Sequence, residues 1–79
     1  MTQPDRVRRL RWACRRGMKE LDVLLESFIA RQEDALGQGR WPEFEALLQE
    51  EDDRIWQWVL APETCREYPD LIDAIVRRA

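Results

Sequence analysis

Apolar residues return at helical spacing along almost the whole chain, and prolines and glycines cut that pattern into five pieces. From about Asp5 to Arg15, Val7, Leu10 and Cys14 share one face. From about Met18 to Leu36, a stripe runs through Leu21, Leu24, Leu25, Phe28, Ile29 and Leu36 until Gly37-Gln38-Gly39 stops it. Pro42 suits the first position of a third helix lined by Phe44, Leu47 and Leu48. Asp52 or Asp53 is expected to cap a fourth, holding Ile55, Trp56, Trp58, Val59 and Leu60 and ended by Pro62. Pro69 and Asp70 open a fifth, with Leu71, Ile72, Ile75 and Val76 facing inward and Arg77 and Arg78 at the negative end of its dipole. No segment shows the strict alternation of a half-buried strand. The expected fold is all-α: a compact bundle of about five short helices in a single domain spanning residues 1–79, with Leu21, Leu25, Phe28, Leu47 and Ile75 in its core.

Four tryptophans must be placed in this small core. Trp41, Trp56 and Trp58 stand beside apolar helical positions and read as core filling. Trp12 differs: at about 100° per residue it falls opposite the Val7, Leu10 and Cys14 stripe, among Arg8, Arg9, Arg15 and Arg16. An outward tryptophan ringed by arginines has the composition of an interface hot spot.

The net charge of −3 conceals a strong asymmetry. A basic stretch, Arg6, Arg8, Arg9, Arg11, Arg15, Arg16 and Lys19, is answered in mid-chain by Glu43, Glu45, Glu50, Glu51, Asp52 and Asp53. Such blocks are either solvated faces that compensate each other or an electrostatic footprint for a partner.

Composition removes whole classes of chemistry. Histidine is absent, so Ser-His-Asp and Cys-His catalysis and histidine-bearing zinc modules are excluded. Two cysteines, Cys14 and Cys65, cannot supply a four-ligand metal site. Apolar runs such as Trp58-Val59-Leu60-Ala61 are too short to cross a bilayer, and the arginine-rich N-terminal region has no signal-peptide core. A cytoplasmic protein with no membrane insertion is expected, in which Cys14 and Cys65 read as small buried hydrophobes more readily than as a disulfide. Neither an enzyme nor a tightly bound cofactor is expected, because a chain of 79 residues has little room for a core and a deep cavity together.

The most informative run is Trp12-Ala13-Cys14-Arg15-Arg16-Gly17-Met18-Lys19-Glu20-Leu21-Asp22. Gly17 sits between two helical patterns, where a left-handed φ would end the first helix and redirect the second. Arg16 and Glu20 are expected to stand out on that corner as a surface ion pair, and Glu20 and Asp22 suit the first turn of the second helix. An ordinary capped corner explains these residues as well as a contact site does.

Arg16-Gly17-x-x-Glu20, with Met18 after the glycine and Trp12-Ala13-Cys14-Arg15 before it, closely resembles the small succinate dehydrogenase assembly factors of the SdhE/YgfY type. Leu47-Leu48, an acidic run ending in Asp53, then Ile55 and Trp58 resemble that family's second block, so the likeness covers essentially the whole chain. Members often carry Asp-Asp-Pro after the Leu-Leu pair; here Glu51, Asp52 and Asp53 stand at those places. The resemblance implies an accessory protein that binds the apo-flavoprotein subunit of succinate dehydrogenase or fumarate reductase and promotes covalent attachment of FAD to a client histidine. It also implies a partner-binding corner of Arg16, Gly17 and Glu20, with Arg9, Trp12 and Met18 as neighbours. A monomer is expected.

Rival readings follow from the same residues. A nucleic-acid binder would use the basic first helix, against which stand the acidic pI near 4.9 and the lack of base-reading polar residues on that face. An enzyme using Glu20 and Asp22 would need two carboxylates that converge, whereas residues two apart on a helix diverge. A different protein–protein adaptor remains the third.

Overall fold

A computed structural model describes residues 4–77 of the protein. Among them are six α-helices, α1 (Pro4–Ala13), α2 (Lys19–Arg31), α3 (Glu33–Gly37), α4 (Phe44–Leu47), α5 (Asp52–Leu60) and α6 (Pro69–Val76), with a 3₁₀ turn at Pro62–Thr64 and no strand. The all-α expectation holds. α1 packs on α2 and α3, while α6 packs on α2 and α5. Leu21, Leu25, Phe28, Leu47 and Ile75, the expected core, are all fully buried. Phe28 meets the edges of Phe44 and Trp41, with centroids 5.2 and 5.7 Å away, and such T-shaped pairs add about 0.5–1.5 kcal/mol each beyond area burial. Cys14 and Cys65 are buried and unbridged; burial, with Glu26 nearby, pushes the Cys14 thiol up to about 12.

The boundaries differ from the sequence pattern in three places. The expected second helix breaks at Gln32 (φ −111°, ψ 19°), so five helices become six. Its side-chain oxygen accepts the Trp41 indole N–H at 3.3 Å, and the bend leaves Leu36 buried with its carbonyl bonded to Arg6. Pro42 is not the first residue of the third helix but lies in the turn before Phe44. Trp41, at φ +56°, redirects the backbone there. Neither Asp52 nor Asp53 caps α5; Glu51 takes that position and both aspartates lie in the first turn. At the end of α6, the free carbonyls of Ala74, Ile75 and Arg77 are met by the Arg31 guanidinium from α2. Arg77 stands at that negative end as expected and also pairs with Asp73 at 2.9 Å, while Arg78 lies outside the described residues.

Arg6 is the one buried charged residue among those described. Its guanidinium donates to both carboxylate oxygens of Glu45 at 2.8 and 2.9 Å, and to the carbonyls of Leu36, Arg40 and Trp41 at 2.7–2.8 Å. A planar fork with five donors suits this arrangement as an ammonium would not. The basic stretch is thus not uniformly solvated, since its first arginine holds the start of α1 against the α3–α4 connection.

Candidate functional site

The corner between α1 and α2 is built around backbone groups that need acceptors. Gly17 has φ +89°, the left-handed conformation that glycine adopts without Cβ strain. The turn leaves the N–H groups of Arg16 and Gly17 outside any helix, and the two oxygens of Asp22 accept them at 3.0 and 3.3 Å. Met18 enters α2 in an extended conformation without a side-chain cap, so Asp22 supplies the bracing that a cap would otherwise give.

The expected ion pair between Arg16 and Glu20 is not what forms. Arg16 turns inward: its Nε pairs with Asp52 at the start of α5, and its two Nη atoms donate to the carbonyls of Leu48 and Glu50 at 2.6 Å. Its side chain is only 15% exposed. The physical reason is the α4–α5 connection, whose carbonyls lie outside regular helix and need donors close to a carboxylate; a guanidinium fork satisfies all three at once. Glu20 remains exposed and, among the described residues, forms no ion pair.

Around this braced corner the remaining residues separate by exposure. Trp12 is 74% exposed, as its helical angle requires, with the Arg15 guanidinium 5.5 Å from its ring. Arg9 and Gly17 are exposed, while Met18 is half-buried against the core. Glu20, Gly17, Trp12 and Arg9 are thus open to solvent, whereas Arg16 and Asp22 serve the corner's own hydrogen bonds, Arg9 lying back along α1 within electrostatic reach of Glu45. Sequence reasoning missed Asp22, Asp52, Arg6 and Glu45 as partners. The one available signal was the demand of a glycine turn for an acceptor, which the carboxylate five residues after Gly17 meets.

Beside the corner, a groove of about 640 Å³ runs between α1 and the α2–α3 segment. Arg8, Arg11 and Arg15 line one wall and Glu26, Glu33 and Asp34 the other, with Arg11 and Glu33 joined across it at 3.1 Å. An acidic wall facing the arginines makes a poor phosphate channel, which argues against the nucleic-acid reading. Among the described residues no group of histidine, cysteine and acidic side chains is placed to hold a metal ion, and no helix is long and apolar enough to cross a membrane.

The family model described as "Flavinator of succinate dehydrogenase" matches residues 8–79. The chain belongs to this flavinator family. It is 42% identical over 60 residues to the FAD assembly factor SdhE of Idiomarina loihiensis, covering 76% of this chain and 67% of that one. To the FAD assembly factor SdhE of Vibrio cholerae it is 35% identical over 78 residues, covering 96% and 91%. To that of Legionella pneumophila strain Paris it is 44% identical over 55 residues, 70% of each chain. No solved structure matches. These relatives are named as assembly factors.

Proposed function

We propose that this protein binds the apo-flavoprotein subunit of succinate dehydrogenase or fumarate reductase and promotes covalent attachment of FAD to it, using the α1–α2 corner as its contact. Family membership supplies the process. The observation that carries the contact is the division of labour at the corner: its internal hydrogen bonds use Asp22 and Arg16 and leave the Glu20 carboxylate exposed and unpaired among the described residues. The chain has no histidine to accept a flavin, so the attachment site belongs to the client. The factor acts by holding a mobile client conformation in which histidine and isoalloxazine ring are in register. Positioning alone can contribute several kcal/mol to a rate without a catalytic group on the helper.

The test is covalent flavin on the client, read as in-gel fluorescence of the flavoprotein band. Deletion of the factor should lower it. Glu20→Ala, supplied at limiting concentration, should lower it nearly as far, because truncating one partner of a desolvated charge-assisted hydrogen bond costs about 2–5 kcal/mol. A folded Glu20→Ala protein that gives normal covalent flavin would remove the corner from the mechanism.

A further inference from the structure

Trp56 is the odd tryptophan of this molecule. Trp12 carries the Arg15 guanidinium at 5.5 Å from its ring. Trp58 has Arg54 at 5.2 Å and the edge of Tyr68 at 5.8 Å. Trp41 meets Phe28 and donates its indole N–H to Gln32. Among the described residues Trp56 has none of these: its ring meets no cation and no aromatic, and its N–H has no acceptor, although no buried polar side-chain atom is left without a partner. The Trp56 N–H is therefore open to solvent.

What Trp56 does face is a hollow of about 410 Å³ between α2 and α5, lined also by Lys19, Glu20, Val23 and Leu24. Val23, in its wall, is 55% exposed. Leu60, one helical turn beyond Trp56 on the same face of α5, is 67% exposed. Two of the three exposed large hydrophobics among the described residues thus lie on this side of the molecule, the third being Trp12. Glu20 stands on the rim. Apolar walls, an open indole and a free carboxylate at the edge together match one kind of side chain: an aliphatic stem ending in a planar cation.

We infer that this hollow receives an arginine side chain of the flavoprotein, its stem along Val23 and Leu24, its guanidinium on the Trp56 indole and paired with Glu20. This rests on the proposed function and names the chemistry of its contact. Arginine is favoured over lysine because its weakly hydrated planar group both stacks on an indole and forks onto a carboxylate. The molecule already sets an arginine over Trp12 and another over Trp58, and the second, Arg54, also pairs with Glu50 and Glu67. Lys19 also lines the hollow, and with one carboxylate beside it the site balances one arginine and not a basic cluster.

The experiment measures affinity of the purified factor for the purified apo-flavoprotein, with thermal melts to confirm folding. Trp56→Leu keeps apolar volume and removes the π face; Glu20→Gln removes the charge. Each should weaken binding about ten- to thirtyfold. The double variant should lose less than the product of the two, because both groups hold one cation. If Trp56→Leu melts early, Val23→Lys serves instead: it places a cation at an exposed position one turn from Glu20 and should weaken binding at least tenfold. Wild-type affinity in Trp56→Leu and Val23→Lys, with binding lost in Glu20→Gln, would overturn the arginine site and leave the corner standing. Absence of binding by the wild-type factor would instead overturn the proposed function. Self-association of the wild-type chain that Val23→Lys abolishes, with client affinity unchanged, would assign the hollow to a second copy and overturn the inference.

Discussion

Replacing Arg16 with alanine removes a guanidinium that three groups of the α4–α5 connection depend on, the Leu48 and Glu50 carbonyls and the Asp52 carboxylate. Replacing Glu20 removes an exposed carboxylate that no group among the described residues pairs with. The two members of one short motif should therefore behave oppositely in a stability measurement. Arg16→Ala should lower unfolding free energy by about 1–3 kcal/mol, the cost of leaving partly buried polar groups unsatisfied. Glu20→Ala should change it by no more than about 0.5 kcal/mol. Urea titrations of both proteins decide this, and equal effects would contradict the inward role of Arg16. Arg16→Lys should recover only part of the loss, because an ammonium cannot reach all three acceptors in a fork. Gly17 is a cleaner probe than its tight turn suggests. A methyl group there would meet nothing within 4 Å, so the penalty comes from the left-handed backbone alone, about 1–2 kcal/mol.

At the scale of elements, α1 is tied down near both ends, by the Arg6 fork onto Glu45 and by Arg16, just past the helix, on Asp52 and its neighbouring carbonyls, so the basic stretch and the acidic run meet inside one molecule. Spacing alone did not reveal this. The helical pattern marked Val7, Leu10 and Cys14 as the inner face, and those residues are buried. An arginine next to that stripe carries no sign in the sequence of whether it bends in or out, because the deciding acceptors are carbonyls of a distant irregular segment. The break at Gln32 was hidden for the same reason: no proline or glycine stands there, and the bend follows from packing. The Arg6–Glu45 fork makes a pH prediction. Hydrogen bonding from Arg6 holds the Glu45 carboxyl below its usual value, outweighing the opposing effect of partial burial. A carboxyl depressed in the folded state stabilises the fold above the ordinary glutamate range, and that contribution is lost as pH falls below about 4.3 through the folded value. Glu45→Gln should therefore be less stable than wild type at pH 7, and the gap should narrow steadily in urea titrations carried below about pH 4.

For the whole molecule, what could be read from the sequence was the apolar part: helix content, the core residues and the outward Trp12 all follow from periodicity, which is a property of the chain itself. The site was readable only as a motif. Whether each of its residues supports the corner or faces a partner depends on contacts between segments more than thirty positions apart, such as Arg16 with Asp52. That distinction gives two separable ways to lose covalent flavin. Leu25 is fully buried, and Leu25→Ala should cost about 2–5 kcal/mol through lost burial and the cavity left behind. In a domain of this size each kcal/mol lowers the melting temperature by about 4–8 °C, so the variant loses much of its folded population on warming while its contact surface stays intact. Glu20→Ala should keep its fold and lose the proposed contact. Flavin fluorescence on the client, measured in cells grown cool and warm, should separate them. Leu25→Ala should support flavinylation at low temperature and fail when warm, whereas Glu20→Ala should be deficient at both. A Glu20→Ala defect that cooling repairs would mark Glu20 as a residue of the fold and move the contact to Trp12 and the exposed arginines of α1.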